Sequence, residues 1–515
     1  VDVAPAAPAD LPALIITGAS GFLGRHLIAA LRDRYRIFGL ARRDAHAVGI
    51  PDHPNLTWFQ VDVGDEEPLA AVFRQLQAVE GEKLVIHLAA HYDFTGESHP
   101  EYLRTNVTGL RNVLELCRPL RPLRFVFASS VAACAFPPRG GALTEDSPPD
   151  GDHLYAITKR RGEAMLREYQ RDFPSAIVRM AALFSDWCEY PPLYFFLRTW
   201  LSQAWNWRVL GGRGQSAIPY LHVRDAVAFY RRLLEIHPGL EPLEVLVAST
   251  EGCTSHYETF EAAQLASRGR RVRPLLTPRP LARLGLWVID HAGRFMAERP
   301  FERTWMGRYI DRRLTVDPVR TRRRTGWSPN PRHSILRRMP FLVENMRTDP
   351  LEWHRRNLAA LKTVRLEPNL GLYHLLASHD ARILEASMAH FLDDESGTLL
   401  PTYRGLGRDE LRWAKQQLFL QLRNAVRTAD KSIFRAYCRE LARRRFEQGF
   451  TCREVHLAFS TERDIILRIV KDDPRALPLT GAIHDYLEGT FLVGLDEIED
   501  AFEELSGARL PQDGA

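Results

Sequence analysis

Apolar positions in the first 180 residues fall into short runs separated by amphipathic stretches. LIIT is followed by RHLIAALRD, TWFQVD by EPLAAVFRQLQAV, and LVIHLAA by EYLRTNVTGLRNVLELC; RFVFAS and SAIVRM flank a helical period from Tyr155 to Asp172. β-rich runs that alternate with helical periods predict an α/β fold, a doubly wound parallel sheet with helices on both faces and ligands at the carboxyl ends of its strands. Over about 181–345 the pattern is less regular and rich in Trp, Tyr, Phe and Pro, which predicts a smaller lobe. Farther on, strand-like runs vanish and apolar residues recur at helical spacing through 409–428, 431–448, 453–470 and 480–506. Gly449 marks a helix end there, and Thr451 with Glu454 reads as a capping box opening the next helix. The expected organisation is a Rossmann-type core over about 12–180 and a substrate lobe over 181–345, together 1–350; then a linker over 351–368 and an all-helical domain over 369–515.

A length of 515 residues accommodates two or more domains. The net charge of +5 does not add a nucleic-acid partner, because the Arg-rich stretches lack interleaved aromatics or a base-reading motif. Six scattered cysteines without a CxxC pair fit a reducing compartment and no zinc site. His374, His379, His390, His456 and His484 lack a ligand spacing and read as solvated or core histidines, so no metal is expected. The Pro/Ala-rich start has no basic n-region or apolar core of a signal peptide, and the most apolar stretch, PLYFFLRTWLSQAWNW, is broken by Arg198 and Gln203. A cytoplasmic protein is expected. Leu281 to Met296, followed by Arg303, Trp305, Arg308 and Tyr309, is amphipathic; its expected role is to cover the substrate pocket, contact with a membrane surface being the alternative.

Chemistry enters with TGASGFLG, Thr17 to Gly24. Gly18, Gly21 and Gly24 stand where a strand hands over to a helix, which permits a tight turn and leaves bare N–H groups for a pyrophosphate. The second strand ends in Ala41, Arg42 and Arg43 rather than in the acid that would hold a ribose 2′-hydroxyl. An arginine there suits a 2′-phosphate, so NADP(H) is favoured over NAD(H); otherwise both arginines lie on a solvated loop. Asp62, closing its strand, either accepts a hydrogen bond from an adenine amino group or caps a turn. Tyr155 and Lys159, at i and i+4, share one helix face. An adjacent ammonium favours the phenolate, so Tyr155 can exchange a proton with a substrate oxygen that Ser130 also holds.

These motifs occur in order: TGASGFLG, Asp62, HLAA from His87, TNVTGLRNVLE with Asn106, ASS ending at Ser130, YAITK, VRM with Arg179, and YLHVRDAV. Over the first ~345 residues the chain resembles an extended short-chain dehydrogenase/reductase of the NAD-dependent epimerase/dehydratase superfamily. The resemblance implies Ser130, Tyr155 and Lys159 as catalytic residues, with Asn106 in support. It implies a cofactor site of Gly18, Ser20, Gly21, Phe22, Leu23, Gly24, Arg42, Arg43, Asp62, Val63, Leu88, Ala89 and Ala90, besides Tyr155 and Lys159. Two departures bear on substrate. Val131 and Ala132 replace the acid and base of dehydratases, and Ala217, Ile218 and Pro219 stand where sugar-nucleotide enzymes carry a diphosphate-clamping arginine, Arg213 lying nearby. With Trp187, Tyr190, Tyr194, Phe195, Phe196, Trp200, Trp205 and Trp207 in the lobe, an apolar alcohol or ketone is the expected substrate, as in the similar dihydroflavonol reductases and 3β-hydroxysteroid dehydrogenases. Alternatives are a nucleotide-sugar epimerase retaining NAD and an NADP(H)-sensing regulator. RAYCRELARRRFEQGFTCREVHLAFSTERDIIL resembles the globin-like, dimerising N-terminal sensor domain of RsbR/RsbRD proteins, which implies a homodimer.

Overall fold

In the computed structural model the chain divides into two compact units, 1–364 and 365–515. The structure describes residues 11–45, 48–92, 96, 98–295, 303–357, 368–392, 400–428 and 431–507. The Pro/Ala-rich start and residues 358–367 of the expected linker lie outside the described residues.

The first unit is built on a seven-stranded sheet paired in parallel throughout. Its strands are β1 (Ala13–Thr17), β2 (Arg36–Ala41), β3 (Leu56–Gln60), β4 (Lys83–His87), β5 (Arg124–Ser130), β6 (Ser175–Met180) and, after the lobe strands β7 (Ala182–Phe184), β8 (Val209–Gly211), β9 (Ala217–Ile218) and β10 (Tyr220–His222), β11 (Leu243–Ala248). Their spatial order is β11-β6-β5-β4-β1-β2-β3. Successive β1 residues serve opposite faces: Leu14 and Ile16 pack with Leu23, Leu27 and Ile28 of α1 (Phe22–Leu31), while Ala13 and Ile15 pack with the cluster holding Leu69 and Phe73 of α2 (Glu66–Gln77) and Leu110 and Leu114 of α3 (Gly109–Leu120). Two covered faces explain why the strands read as nearly continuous apolar runs. α4 (Leu154–Glu168) leads back to β6, after which the chain leaves for the small lobe and then returns to extend the sheet with β11, so the core does not end near residue 180 as expected.

The lobe pairs β7 with β10, β8 with β13 (Leu275–Thr277) and β9 with β12 (Thr254–Ser255). Helices α5 (Pro191–Trp200), α6 (Val223–Ile236), α7 (His256–Arg268), α8 (Arg279–Phe295) and α9 (Ile335–Thr348) complete the unit; α6 packs on α1 against the sheet. Residues 351–357 of the expected linker belong to a helix, Pro350–Asn357, whose Trp353 is buried in the lobe core. That core also corrects the aromatic pocket. Tyr194, Phe195 and Trp200 of α5 are buried in it, Trp187, Tyr190, Phe196 and Trp207 pack against it, and Trp205 is exposed. Helical spacing turns the apolar stripe of α5 inward, so these rings build the lobe rather than a ligand wall.

The second unit is helical in its described residues. Its longer helices are α10 (Pro368–Ser378), α11 (Asp380–Leu392), α12 (Arg408–Thr428), α13 (Ser432–Glu447), α14 (Cys452–Lys471) and α15 (Gly489–Gly507). Thr451 and Glu454 form the capping box on α14, and Gly449 adopts a φ of +85°. The core runs from Leu372 to Phe502 and encloses an ion pair: Lys415 Nζ donates to Glu462 at 2.7 Å, and Ser387 Oγ donates to the same carboxylate.

Candidate active site

The strand order reverses between β1 and β4, and a crevice opens at their carboxyl ends, where parallel sheets bind ligands. The glycine turn occupies it. Gly18 has a φ of +68°, and a Cβ there would come within 2.6 Å of the Ala89 nitrogen. A side chain at Gly24 would meet the Ala19 carbonyl at 2.6 Å. Gly21 caps α1 without any side-chain hydrogen bond, so the first N–H groups of the helix have no competing oxygen of their own. This cradle fits a dinucleotide pyrophosphate: the backbone positions that must stay bare are bare. Ser20 is buried in the turn and Phe22 and Leu23 begin the helix, Leu23 as a core residue. The Leu88 N–H donates to the Thr17 carbonyl, carrying β4 past the turn so that Leu88, Ala89 and Ala90 border the crevice.

The two arginines after β2 part company. Arg43 donates from Nη2 to the Ser20 carbonyl at 2.7 Å and from Nε to Ser20 Oγ at 3.3 Å, which places its guanidinium against the glycine turn. Arg42 points to Glu101 at 3.1 Å. Asp62 makes the turn contact expected of it: Oδ1 accepts from the Gly64 N–H at 2.9 Å and Oδ2 from Arg104 Nη1 at 3.0 Å. Val63, expected to line the cofactor site, is buried in the sheet core, and its carbonyl accepts from Asn112.

β5 delivers Ser130 and the first turn of α4 delivers Tyr155. Ser130 Oγ accepts from the Ala132 N–H at 3.2 Å. One turn on, the buried Lys159 donates to the Ala128 carbonyl at 2.6 Å, with Nζ 5.6 Å from the Tyr155 ring centroid and 4.9 Å from that of Phe127. Burial takes the lysine down to about 8, an effect that Glu163 opposes. Burial also pushes the Tyr155 phenol well above its ordinary value. His87, whose Nδ1 lies 2.9 Å from Thr17 Oγ1, is driven to about 3 by burial and by the Lys159 charge, and is therefore neutral. Glu163 accepts from Ser129 Oγ at 2.7 Å and from both Nε and Nη2 of the buried Arg179.

Asn106 sits in a π-helical turn, 104–108, ahead of α3. Its Oδ1 accepts from the His91 N–H at 2.6 Å, while Nδ2 donates to the His91 carbonyl and to Thr158 Oγ1, each at 3.0 Å. Asn106 thus clasps the loop after β4 to α4 beside Lys159. Single-turn π-bulges of this kind gather at functional sites.

A row of rings that the motifs did not reveal borders Tyr155. Tyr92 stacks on it at 4.1 Å between centroids, His153 lies parallel at 6.3 Å on the same ring, and Trp305 stacks on His153 at 6.3 Å. Tyr309 meets Trp305 edge-on and stacks on Phe136. Asp152 fastens this row, accepting from Arg308 Nη1 and Tyr309 Oη at 2.8 Å each. A sequence signal existed: HYDF directly follows HLAA, and DGDHL directly precedes Tyr155. Arg213 is exposed, and Ala217 and Ile218 form β9, so the position of a diphosphate clamp is filled by strand.

Among the described residues no group of three or more His, Cys, Asp and Glu could hold a metal. His379 pairs with Asp473, His456 with Glu499 and His484 with Glu488; the side chain of His374 lies outside the described residues. A groove of about 630 Å³ includes neither Ser130 nor Tyr155; its Arg320 and Arg324 pair with Asp146 and Glu244 of the same wall. No helix among the described residues is long and apolar enough to cross a membrane.

The first unit thus joins a Rossmann-like parallel sheet and its glycine turn to Tyr155 and Lys159, one helical turn apart on α4. Residues 14–247, all within the first unit, match the model of the NAD dependent epimerase/dehydratase family. UDP-glucuronate 4-epimerase 4 of Arabidopsis thaliana is 26% identical over 202 residues, which cover 36% of this chain and 44% of that protein. A Synechocystis protein described as "Putative dihydroflavonol 4-reductase" is 30% identical over 119 residues, 23% of this chain and 32% of its own length. The chain therefore spans less than half the length of either relative. Among solved structures, UDP-glucose 4-epimerase of Thermotoga maritima with UDP-glucose is 18% identical, with 65% of this chain and 99% of that chain covered and a TM-score of 0.49.

Proposed function

We propose that the first unit is an NAD(P)-dependent oxidoreductase of the extended short-chain dehydrogenase/reductase type, interconverting a hydroxyl and a carbonyl on an apolar small molecule. The observation that carries this reading is Tyr155, stacked among rings one helical turn from a buried Lys159 and beside the glycine-turn crevice. A bound nicotinamide cofactor supplies or accepts the hydride. The protein's part is the proton: Tyr155 gives it to, or takes it from, the substrate oxygen, Ser130 holds that oxygen, and the Lys159 charge counters the burial that would keep the phenol neutral. Asn106 holds α4 in place for this transfer. Tyr92, His153 and Trp305 offer π faces rather than cations, which suits an apolar substrate. NADP(H) is the preferred cofactor in this reading, because Arg43 stands against the glycine turn where a 2′-phosphate would be gripped.

Two observations favour a second reading, an epimerase of nucleotide sugars in which the hydride leaves and returns. UDP-glucuronate 4-epimerases are among the relatives, and Arg308, at the edge of the ring row, could meet a diphosphate. Mass spectrometry of nucleotide released from the purified protein separates the two: tightly held NAD favours the epimerase. Freely exchanging NADPH, oxidised in the presence of aromatic ketones by the wild type and not by Tyr155→Phe, supports the reductase. A pure NADP(H) sensor would need no Tyr155–Lys159 relay. The helical unit, with its RsbR-like pattern, provides the homodimer contact in this reading.

A further inference from the structure

Helix α8 is amphipathic the wrong way round for a helix that faces water. Leu281, Leu284, Trp287, Val288 and Ile289 retain between 42 and 58% of their surface, while Asp290 is buried. The inward row is Ala282, Leu286 and Asp290: Ala282 approaches Gly211, Arg283 Nε donates to the Gly307 carbonyl at 3.1 Å, and Asp290 Oδ2 accepts from Thr304 Oγ1 at 2.8 Å. A helix on a soluble surface ordinarily shows its polar side to water. Here the polar contacts are spent inward and a contiguous apolar row is left outside. Leu275 and Leu276, on the strand leading into α8, are also exposed.

The charge beside this row has one sign. From Arg268 to Ile289 the chain carries six arginines and no acid. Arg270, Arg271 and Arg273 are exposed and make no ion pair among the described residues. The neighbouring loop is tied to them, since Arg208 donates to the Arg273 carbonyl and Arg268 lies 3.9 Å over the Trp207 ring, and it presents Trp205 at 85% exposure.

We propose that this face docks on an anionic membrane surface, the apolar row of α8 entering the interface and Arg270, Arg271 and Arg273 meeting lipid headgroups. Exposed tryptophan, an apolar helical row and unpaired arginines are the combination that an interfacial helix requires. A second copy of the chain is a poorer occupant, because a symmetric contact would bring the same arginines face to face. α8 leads to residues 303–309, whose Trp305 and Tyr309 border the candidate site, so docking would set that border near lipid. Collection of an apolar substrate from lipid rests on the function proposed above; the docking does not.

The test is co-sedimentation of the full chain with vesicles of phosphatidylcholine and phosphatidylglycerol, and with phosphatidylcholine alone, at low and high salt. The expected result is pelleting with the anionic vesicles that weakens in salt. It should fall by about tenfold or more in Leu284→Ser/Trp287→Ser/Val288→Ser, and likewise in Arg270→Glu/Arg271→Glu/Arg273→Glu. Both variants change exposed residues, and retained dinucleotide binding would show them folded; should the apolar triple variant fail to fold, Leu284→Ser alone must still reduce pelleting. No pelleting of the wild type at low salt overturns the proposal. So does unchanged pelleting of the folded variants, or a serine variant that only turns a dimer into a monomer, which would assign the face to a second copy.

Discussion

Tyr155 needs a readily exchanged proton, and burial works against it by favouring the neutral phenol, with Lys159 the cation one turn away. Replacing Tyr155 by Phe keeps the stack and removes the proton, so turnover should fall by roughly 10² to 10⁴ while dinucleotide binding persists. Near wild-type turnover would refute the assignment. The lysine sets the pH behaviour. Its folded value, about 8, lies below its ordinary 10.5, so it loses its charge first in the folded protein. Reductive turnover should therefore decline as pH rises through about 8. Stability moves the other way: between those two values the unfolded chain binds the proton that the folded one has released, so folding gains as pH rises. Urea denaturation of wild type and Lys159→Met should show a gap, the variant being the more stable at pH 7, that closes toward pH 10; a constant gap would mean that the lysine is not desolvated. For the glycine turn, Gly18→Ala forces a positive φ on a Cβ that meets the Ala89 backbone, and loss of dinucleotide binding in titration calorimetry is the expected outcome.

At the scale of elements, α4 is held to the sheet by Glu163, whose carboxylate takes Arg179 of β6 and Ser129 of β5 together. Both members of the ion pair are buried, so removing one strands the other. Glu163→Gln should destabilise the first unit by about 3–5 kcal/mol in urea unfolding, the usual cost of an uncompensated buried charge. It should also lower the Lys159 value further, because Glu163 supports that charge, and move the alkaline limb of the rate profile to lower pH. A stability loss with an unmoved pH profile would confine Glu163 to a structural part. These elements were largely legible in the sequence. β1, β2, β4, β5 and β6 are short runs buried on two faces, and the glycine turn and YAITK are local signals at fixed positions. What escaped was assembled from distant segments: β11 joins the sheet after an excursion of more than sixty residues from β6, and Trp305 reaches His153 across half the unit. Single-residue roles such as that of Asp62 escaped because an acid at a strand end serves a turn, an arginine or a ligand equally well until its partners are in place.

For the whole molecule, the decisive fact is that the core of the second unit draws only on residues from Leu372 to Phe502, and none of the candidate site residues lies there. A chain segment of this size that closes its own core can fold alone. A chain ending after Val364 is therefore expected to keep dinucleotide binding, and the Arg365–Ala515 fragment to show helical circular dichroism and a single cooperative unfolding transition. Paired substitutions in the intact chain give the same information without cutting it. Glu462→Gln leaves Lys415 buried without its counter-charge and should lower the unfolding transition of the second unit by a penalty of about 3–5 kcal/mol, while Glu163→Gln lowers only that of the first. Fluorescence assigns the transitions, since Trp413 is the one tryptophan in the second unit. If the helical unit provides the dimer contact, light scattering will give the truncated chain as a monomer and the fragment as a dimer. Should both substitutions shift one shared transition, the two units unfold as a single cooperative block, and the independence inferred from their separate cores is wrong.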